Sequence, residues 1–144
     1  MRFSRLVVLG LATVTFPALT ALVQAQHSIT PLAKVKFVPD DDVKCLSYAL
    51  ESGDPDKGAS TIILKAPPRC LVRWHFHTAV EGLMVVRGQV LTEMEGVPAT
   101  TLGAGGFATM SSGAKHQFAC TGTSECILFV TFDRIYDIHW VDQK

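Results

Sequence analysis

The pair His75-x-His77, followed by Glu81 and Gly88, constrains this chain more than any other stretch. On a β-strand, side chains two residues apart share a face. His75 and His77 therefore point one way, and Trp74 and Phe76 the other. Glu81 follows a short turn that can bring its carboxylate back to the pair. A second segment, Gly105 to Cys120, carries His116 just beyond a turn at Gly113. Three neutral imidazoles and a carboxylate converging inside a barrel would suit a divalent transition metal. A single histidine in such a place would more often be a packed interior residue. Three with a carboxylate favour a metal site.

The surrounding pattern is all-β. From Cys70 onward, short apolar or alternating runs are separated by Gly- and Pro-containing turns. The expected strands are Cys70–His77, Gly82–Arg87, Gln89–Glu95, Phe107–Ser111, His116–Cys120 and Cys126–Phe132. Upstream, Val35–Val38 reads as an edge strand, Lys44–Leu50 and Thr61–Ala66 as strands, and Glu51–Gly58 as a loop. Gly96-Val97-Pro98 reads as a turn, and Asp40-Asp41-Asp42 as a solvated turn rather than a calcium loop. No segment sustains a helical period, so the expected class is a sandwich or barrel of short strands. Asp133 to Val141 is a polar and aromatic tail suited to a last strand, with His139 beside Trp140.

The N-terminus has another character. Arg2 and Arg5 precede an apolar run from Leu6 to Val23, and Val23-Gln24-Ala25 supplies the small residues a signal peptidase reads. Residues 1–25 are expected to be a signal peptide cleaved after Ala25, giving an exported protein, periplasmic or secreted. Residues 26–58 then form N-terminal strands and a loop, 59–133 the core and 134–144 a C-terminal tail. Removing Arg2 and Arg5 leaves 11 basic against 13 acidic residues, a net charge of −2 with histidines neutral. That balance gives no footprint for nucleic acid and no polybasic membrane surface. A small-molecule ligand or substrate is the expected partner, and exposed edge strands could pair two copies into a homodimer.

Four cysteines, Cys45, Cys70, Cys120 and Cys126, fall in the exported part, where disulfides persist. Three full pairings exist in principle. Cys120 and Cys126 flank what reads as a hairpin loop and are expected to form one bridge. Cys45–Cys70 stays open as a second.

These residues resemble the cupin superfamily. The first cupin motif is His-x-His, three residues, Glu, six residues, Gly, met by His75, His77, Glu81 and Gly88. The second is met by Gly105, Gly113 and His116, with Ser111 in place of a proline and Cys120 in place of an asparagine. Arg69 stands where a glycine is usual. The chain is also distantly similar to the cupin part of anti-sigma factors of the zinc type. The resemblance implies a single-domain cupin-type barrel (a double-stranded β-helix or jelly roll). It also implies one divalent metal (iron, manganese, nickel, copper or zinc) held by His75, His77, Glu81 and His116. Alternation with those ligands places Leu83, Val85 and Phe118 on an apolar wall and Arg73 on the inward face, where a rim salt bridge is the expected role and a substrate anchor the alternative. No catalytic acid or base beyond the ligands stands out. Dioxygen chemistry as a small-molecule oxidoreductase, or an isomerase, is therefore one reading, and a non-catalytic metal- or small-molecule-binding or sensing module is the other.

Overall fold

Alternating burial along short strands is what assembles this chain. The computed structural model describes residues 28–141; the expected signal peptide and His27 lie outside them. Eleven strands follow a 3-10 turn at Leu32–Lys34. They are β1 (Val38–Pro39), β2 (Ser47–Gly53), β3 (Ser60–Ala66), β4 (Leu71–Phe76), β5 (Glu81–Arg87) and β6 (Val90–Met94). β7 (Val97–Leu102), β8 (Phe107–Met110), β9 (His116–Cys120), β10 (Cys126–Phe132) and β11 (His139–Trp140) complete the set. All pairings are antiparallel. They build a six-stranded sheet in the order β1-β2-β3-β10-β5-β8 and a five-stranded sheet in the order β11-β4-β9-β6-β7.

The two inner faces meet in one core. Leu64, Leu83, Val85, Leu128 and Val130 come from the larger sheet, and Val72, Val90 and Phe118 from the smaller. Burial of such side chains supplies most of the stabilisation, at about 25 cal/mol per Å² of apolar surface removed from water. Both disulfides form, Cys45–Cys70 and Cys120–Cys126. Each joins the segments of one sheet to those of the other: Cys120 ends β9 and Cys126 begins β10, while Cys45 precedes β2 and Cys70 precedes β4. Two cross-links fit an oxidising, exported setting. Among the described residues no helix is long and apolar enough to cross a membrane.

Three local expectations change. Val97-Pro98 is not a turn but the start of β7, at the edge of its sheet, where a residue lacking an N–H is tolerated. β2 runs on to Gly53 rather than ending at Leu50, with a register shift between Leu50 and Ser52. The first edge strand is Val38–Pro39, later than expected.

Two turn positions explain the motif glycines. Gly88, between β5 and β6, has φ +89°, and a Cβ there would sit 2.8 Å from Cys126 Sγ. No other residue fits that close approach. Arg69, at the position where a glycine is usual, takes φ 69°. The Cys70 N–H donates to the Pro67 carbonyl oxygen (3.1 Å), with Pro68 and Arg69 between them. A type II turn of this kind prefers proline second and glycine third. Arg69 therefore adopts the backbone of the glycine it replaces.

Holding a non-glycine residue there costs about 1–2 kcal/mol, against about 0.5–1 kcal/mol of extra unfolded-chain entropy for glycine. Arg69→Gly is expected to leave urea-unfolding stability unchanged or raise it by about 0.5 kcal/mol. A loss above about 1 kcal/mol would contradict this account of the turn.

Candidate metal centre

The site is made by three strand ends and one turn. His75 lies near the end of β4, His77 just beyond it, Glu81 begins β5 and His116 begins β9. His75 and His116 are cross-strand partners, and so are Glu81 and Met110. All four site residues are almost fully buried, between 2 and 4 % exposed. Their candidate ligand atoms all lie within 4.8 Å of one another. The imidazole centroids of His75 and His116 are 4.2 Å apart, and those of His75 and His77 4.9 Å.

Each imidazole is oriented through its other nitrogen. His75 Nδ1 donates to the Arg73 carbonyl oxygen (2.7 Å) and His116 Nδ1 to the Ala114 carbonyl oxygen (2.8 Å). His77 Nδ1 donates to the Asp137 carbonyl oxygen. A carbonyl can only accept, so in the neutral form the one ring proton of each histidine is spent there. Every Nε2 is left as a lone pair facing the interior. His116 Nε2 is 3.1 Å and His77 Nε2 3.3 Å from Glu81 Oε2. Glu81 Oε2 and His116 Nε2 are both buried without a directed hydrogen bond. Lone pairs and a carboxylate oxygen crowded at this distance call for a positive charge between them. Imidazole and carboxylate donors suit a divalent transition metal, and tethering of the distal nitrogen is the usual support of such a ligand.

The electrostatics agree. Burial first, then the neighbouring His116 ring, lowers the His75 pKa from 6.5 to about 4, so its ring is neutral and free to ligate at neutral pH. For Glu81, burial works against ionisation, but the adjoining His116 and His77 rings outweigh it and hold the carboxyl at about 2. Burial opposes protonation of His77 too, yet the Glu81 carboxylate prevails and raises its pKa.

The site opens on a cavity of about 260 Å³, lined by His75, His77 and Glu81 together with apolar walls that include Ile62, Leu64, Val72 and Phe118. Phe118, on β9, is one of these walls. Leu83 and Val85 are buried in the core, 1 % exposed, and do not line this cavity. β5 contributes only its first residue to the wall. Arg73 is not inward either. It is exposed, with its guanidinium 5.3 Å from the Trp140 ring centroid. A register shift between Val72 and His75 puts both of those residues on the inner side and turns Arg73 out.

Some contributors carried no sequence signal. The tail 133–141 fastens the turn that holds His77. The Asp137 carboxylate accepts from the Thr78 N–H (2.8 Å) and the Thr78 hydroxyl (2.5 Å). The Asp133 carboxylate accepts from the Val80 N–H (2.8 Å). β11 then pairs with β4, setting Trp140 opposite His75. His139 is exposed in the tail, where it stacks on Phe76 (4.8 Å) and bonds Asp137. Tyr136, 5.4 Å from the His77 ring, lines the cavity, and burial and then nearby carboxylates raise its pKa, keeping it a hydrogen-bond donor.

A barrel of two antiparallel sheets with a three-histidine, one-carboxylate cluster inside defines a small metal-site barrel. Residues 63–132 match the family described as "Cupin domain", and this stretch of the chain is a cupin domain. No curated protein matches the sequence. Among solved structures, the polyketide cyclase RemF from Streptomyces resistomycificus is 17 % identical over 83 % of this chain and 88 % of its own (TM-score 0.68). A sugar phosphate isomerase of the cupin superfamily from Silicibacter pomeroyi is 13 % identical over 81 % and 83 % (TM-score 0.66). A recombinant oxalate oxidase in complex with glycolate is 23 % identical over 58 % of this chain and 46 % of its own (TM-score 0.54). Likeness at these identities is likeness of fold.

The depressed His75 pKa makes a signed prediction for metal-free protein. Above pH 6.5 neither the folded nor the unfolded state protonates this ring. Below it the unfolded chain binds the proton first, so stability is lost as pH falls from about 6.5 to 4. The loss relative to His75→Gln is expected to be on the order of 3 kcal/mol, at about 1.4 kcal/mol per pH unit. Parallel pH profiles of the two proteins across this window would refute the assignment.

Proposed function

We propose that the protein is an exported cupin that holds one divalent transition metal through His75, His77, Glu81 and His116 and acts as a small-molecule oxidoreductase of dioxygenase type. The observation that carries the metal reading is the spending of all three Nδ1 protons on backbone carbonyls, which leaves three Nε2 lone pairs and a buried carboxylate facing one point. Iron, manganese, nickel, copper and zinc are all compatible with this donor set. A bound iron or copper would supply dioxygen chemistry, whereas manganese, nickel or zinc would supply Lewis-acid chemistry.

The chain's own residues favour the first over hydrolysis. The ligands open on a half-open, mostly apolar cavity of about 260 Å³, close to the lower end of the range for small-molecule sites. Its polar groups away from the ligands are the Tyr136 phenol, the Tyr48 phenol, the Ser60 side chain and four aspartates. Tyr136, kept protonated, can donate to an oxygen of a bound molecule and orient it. No histidine or lysine stands ready as a separate base. Ile62, Leu64, Val72 and Phe118 exclude water from whatever binds. The second reading is a binding or sensing module of the same architecture, which needs the same ligands and cavity but no turnover.

Protein exported to a periplasm and purified without chelator should contain about one metal per chain, and His75→Ala/His116→Ala should contain none. Wild type reloaded with iron or copper should then consume dioxygen with a phenolic or diketone compound, and reloaded His116→Ala should not. Uptake absent for every metal, with the protein folded and metal bound, would remove the oxidoreductase and leave the binding module.

A further inference from the structure

The outward face of the six-stranded sheet carries a row of apolar side chains that the core does not use. Leu64, Leu83, Ala108 and Leu128 point into the core, so their neighbours along each strand point out. Cross-strand partners share a face. Ala49 pairs with Ile63, Ile63 with Phe129, Phe129 with Met84 and Met84 with Phe107, an unbroken row across β2, β3, β10, β5 and β8. Of the charged residues on these strands, Glu81 is buried at the metal centre, and Glu51, Lys65 and Arg87 fall outside the row. Lys65 holds its ammonium over the Phe37 ring (4.4 Å), and Arg87 pairs with Glu125 (3.3 Å). On the other side the next row is uncharged: Thr61, Thr131, Gly82 and Thr109.

The smaller sheet is unlike this. Its outward side chains include Arg73 and the hydrogen-bonded partners Glu93 and Gln117, as a solvated antiparallel face normally does. In the apolar row Phe107 is 61 % exposed, and Met84 and Phe129, with Val86 beside them, are 36–41 % exposed. Taking about 150–250 Å² for a whole large side chain, these fractions leave on the order of 300 Å² of apolar surface in water. A standard interface takes about 800 Å² from each partner, a little over half of it apolar, so the patch supplies about two thirds of the apolar part. The chain has 13 basic and 13 acidic residues, so two copies do not repel each other at long range.

The row is also complementary to itself. Phe129 stands at its middle, with Ile63 and Ala49 on one side and Met84 and Phe107 on the other. A two-fold axis parallel to the strands and lying over Phe129 sets that ring against its own copy. It also sets Met84 against the copy's Ile63 and Phe107 against the copy's Ala49. The side chain that stands furthest into water thus meets the smallest one, itself 7 % exposed. Gly82 keeps the surface low beside Phe107: a Cβ there would lie 3.5 Å from Phe107 Cζ. Two such faces can stack as the sheets of a sandwich do, about 10 Å apart.

We infer that the outward face of the six-stranded sheet docks a second copy of this chain, in a two-fold dimer centred on Phe129. The inference is independent of the metal reading. It also differs from pairing through edge strands, which would leave the row in water.

Sedimentation velocity of the exported protein as purified tests it. The expected result is a dimer with a dissociation constant in the micromolar range, on the order of −8 kcal/mol. Phe129→Lys puts two like charges face to face at the axis and should weaken the dimer at least about thirtyfold. Leu71→Lys, at a site 47 % exposed on the smaller sheet, should leave it intact. Phe129→Cys under mild oxidation should give a disulfide-linked dimer, and Leu71→Cys should not; this arm decides the matter if Phe129→Lys fails to fold. A protein that stays monomeric up to about millimolar concentration would overturn the inference. So would a dimer that survives Phe129→Lys and is not cross-linked in Phe129→Cys, which would be edge-strand pairing. A monomer that binds phosphatidylglycerol vesicles, and loses that binding in Phe129→Lys, would overturn it too and assign the face to a membrane.

Discussion

Four buried polar groups packed within 4.8 Å of one another are the constraint on which the structure turns. Glu81 is ionised and enclosed, and three imidazoles crowd it, each tethered through Nδ1 to a backbone carbonyl. Burying a charge without a partner is among the largest penalties a small domain can carry. The chain accepts that penalty at one point and builds everything nearby to hold it there. The backbone carbonyls of Arg73, Ala114 and Asp137 fix the rings, and two disulfides tie the sheets that carry them. An arrangement so braced is preorganised for a cation, and the binding of that cation is linked to folding.

The rest of the molecule positions this cluster at one end of a cavity with unlike surroundings. Inside are apolar walls, a tyrosine kept protonated and a buried serine; at the rim are exposed aspartates. The C-terminal tail belongs to the same machinery. Its carboxylates clasp the turn after His77, and its carbonyl at Asp137 orients that ring. Barrel, tail and rim loop together decide what can approach the histidines and in which orientation.

Much of this was legible in the sequence, for reasons that differ by residue. The two-residue spacing of His75 and His77 and the return of Glu81 follow from strand periodicity and a short turn. His116 follows from the second glycine-bounded turn. The strands of the core could be read because alternation of burial is written directly in side-chain type. Arg73 could not be placed, because one register shift in β4 reverses the facing of the residues around it. The role of Asp137 is played largely by a backbone carbonyl, which every residue type possesses. Asp40 to Asp42 read as a solvated turn and are one, but only the folded chain brings that turn over the cavity. Arg69 is the instructive case: the side chain departs from the motif while the backbone keeps to it.

X-ray absorption spectroscopy on the exported protein as purified would test the central claim most directly, because it reads the ligand set. The account predicts one bound metal whose shell contains imidazole scattering from about three histidines, oxygen from a carboxylate and no sulfur. Folded protein that holds no metal, or a metal bound through cysteine sulfur, would contradict it.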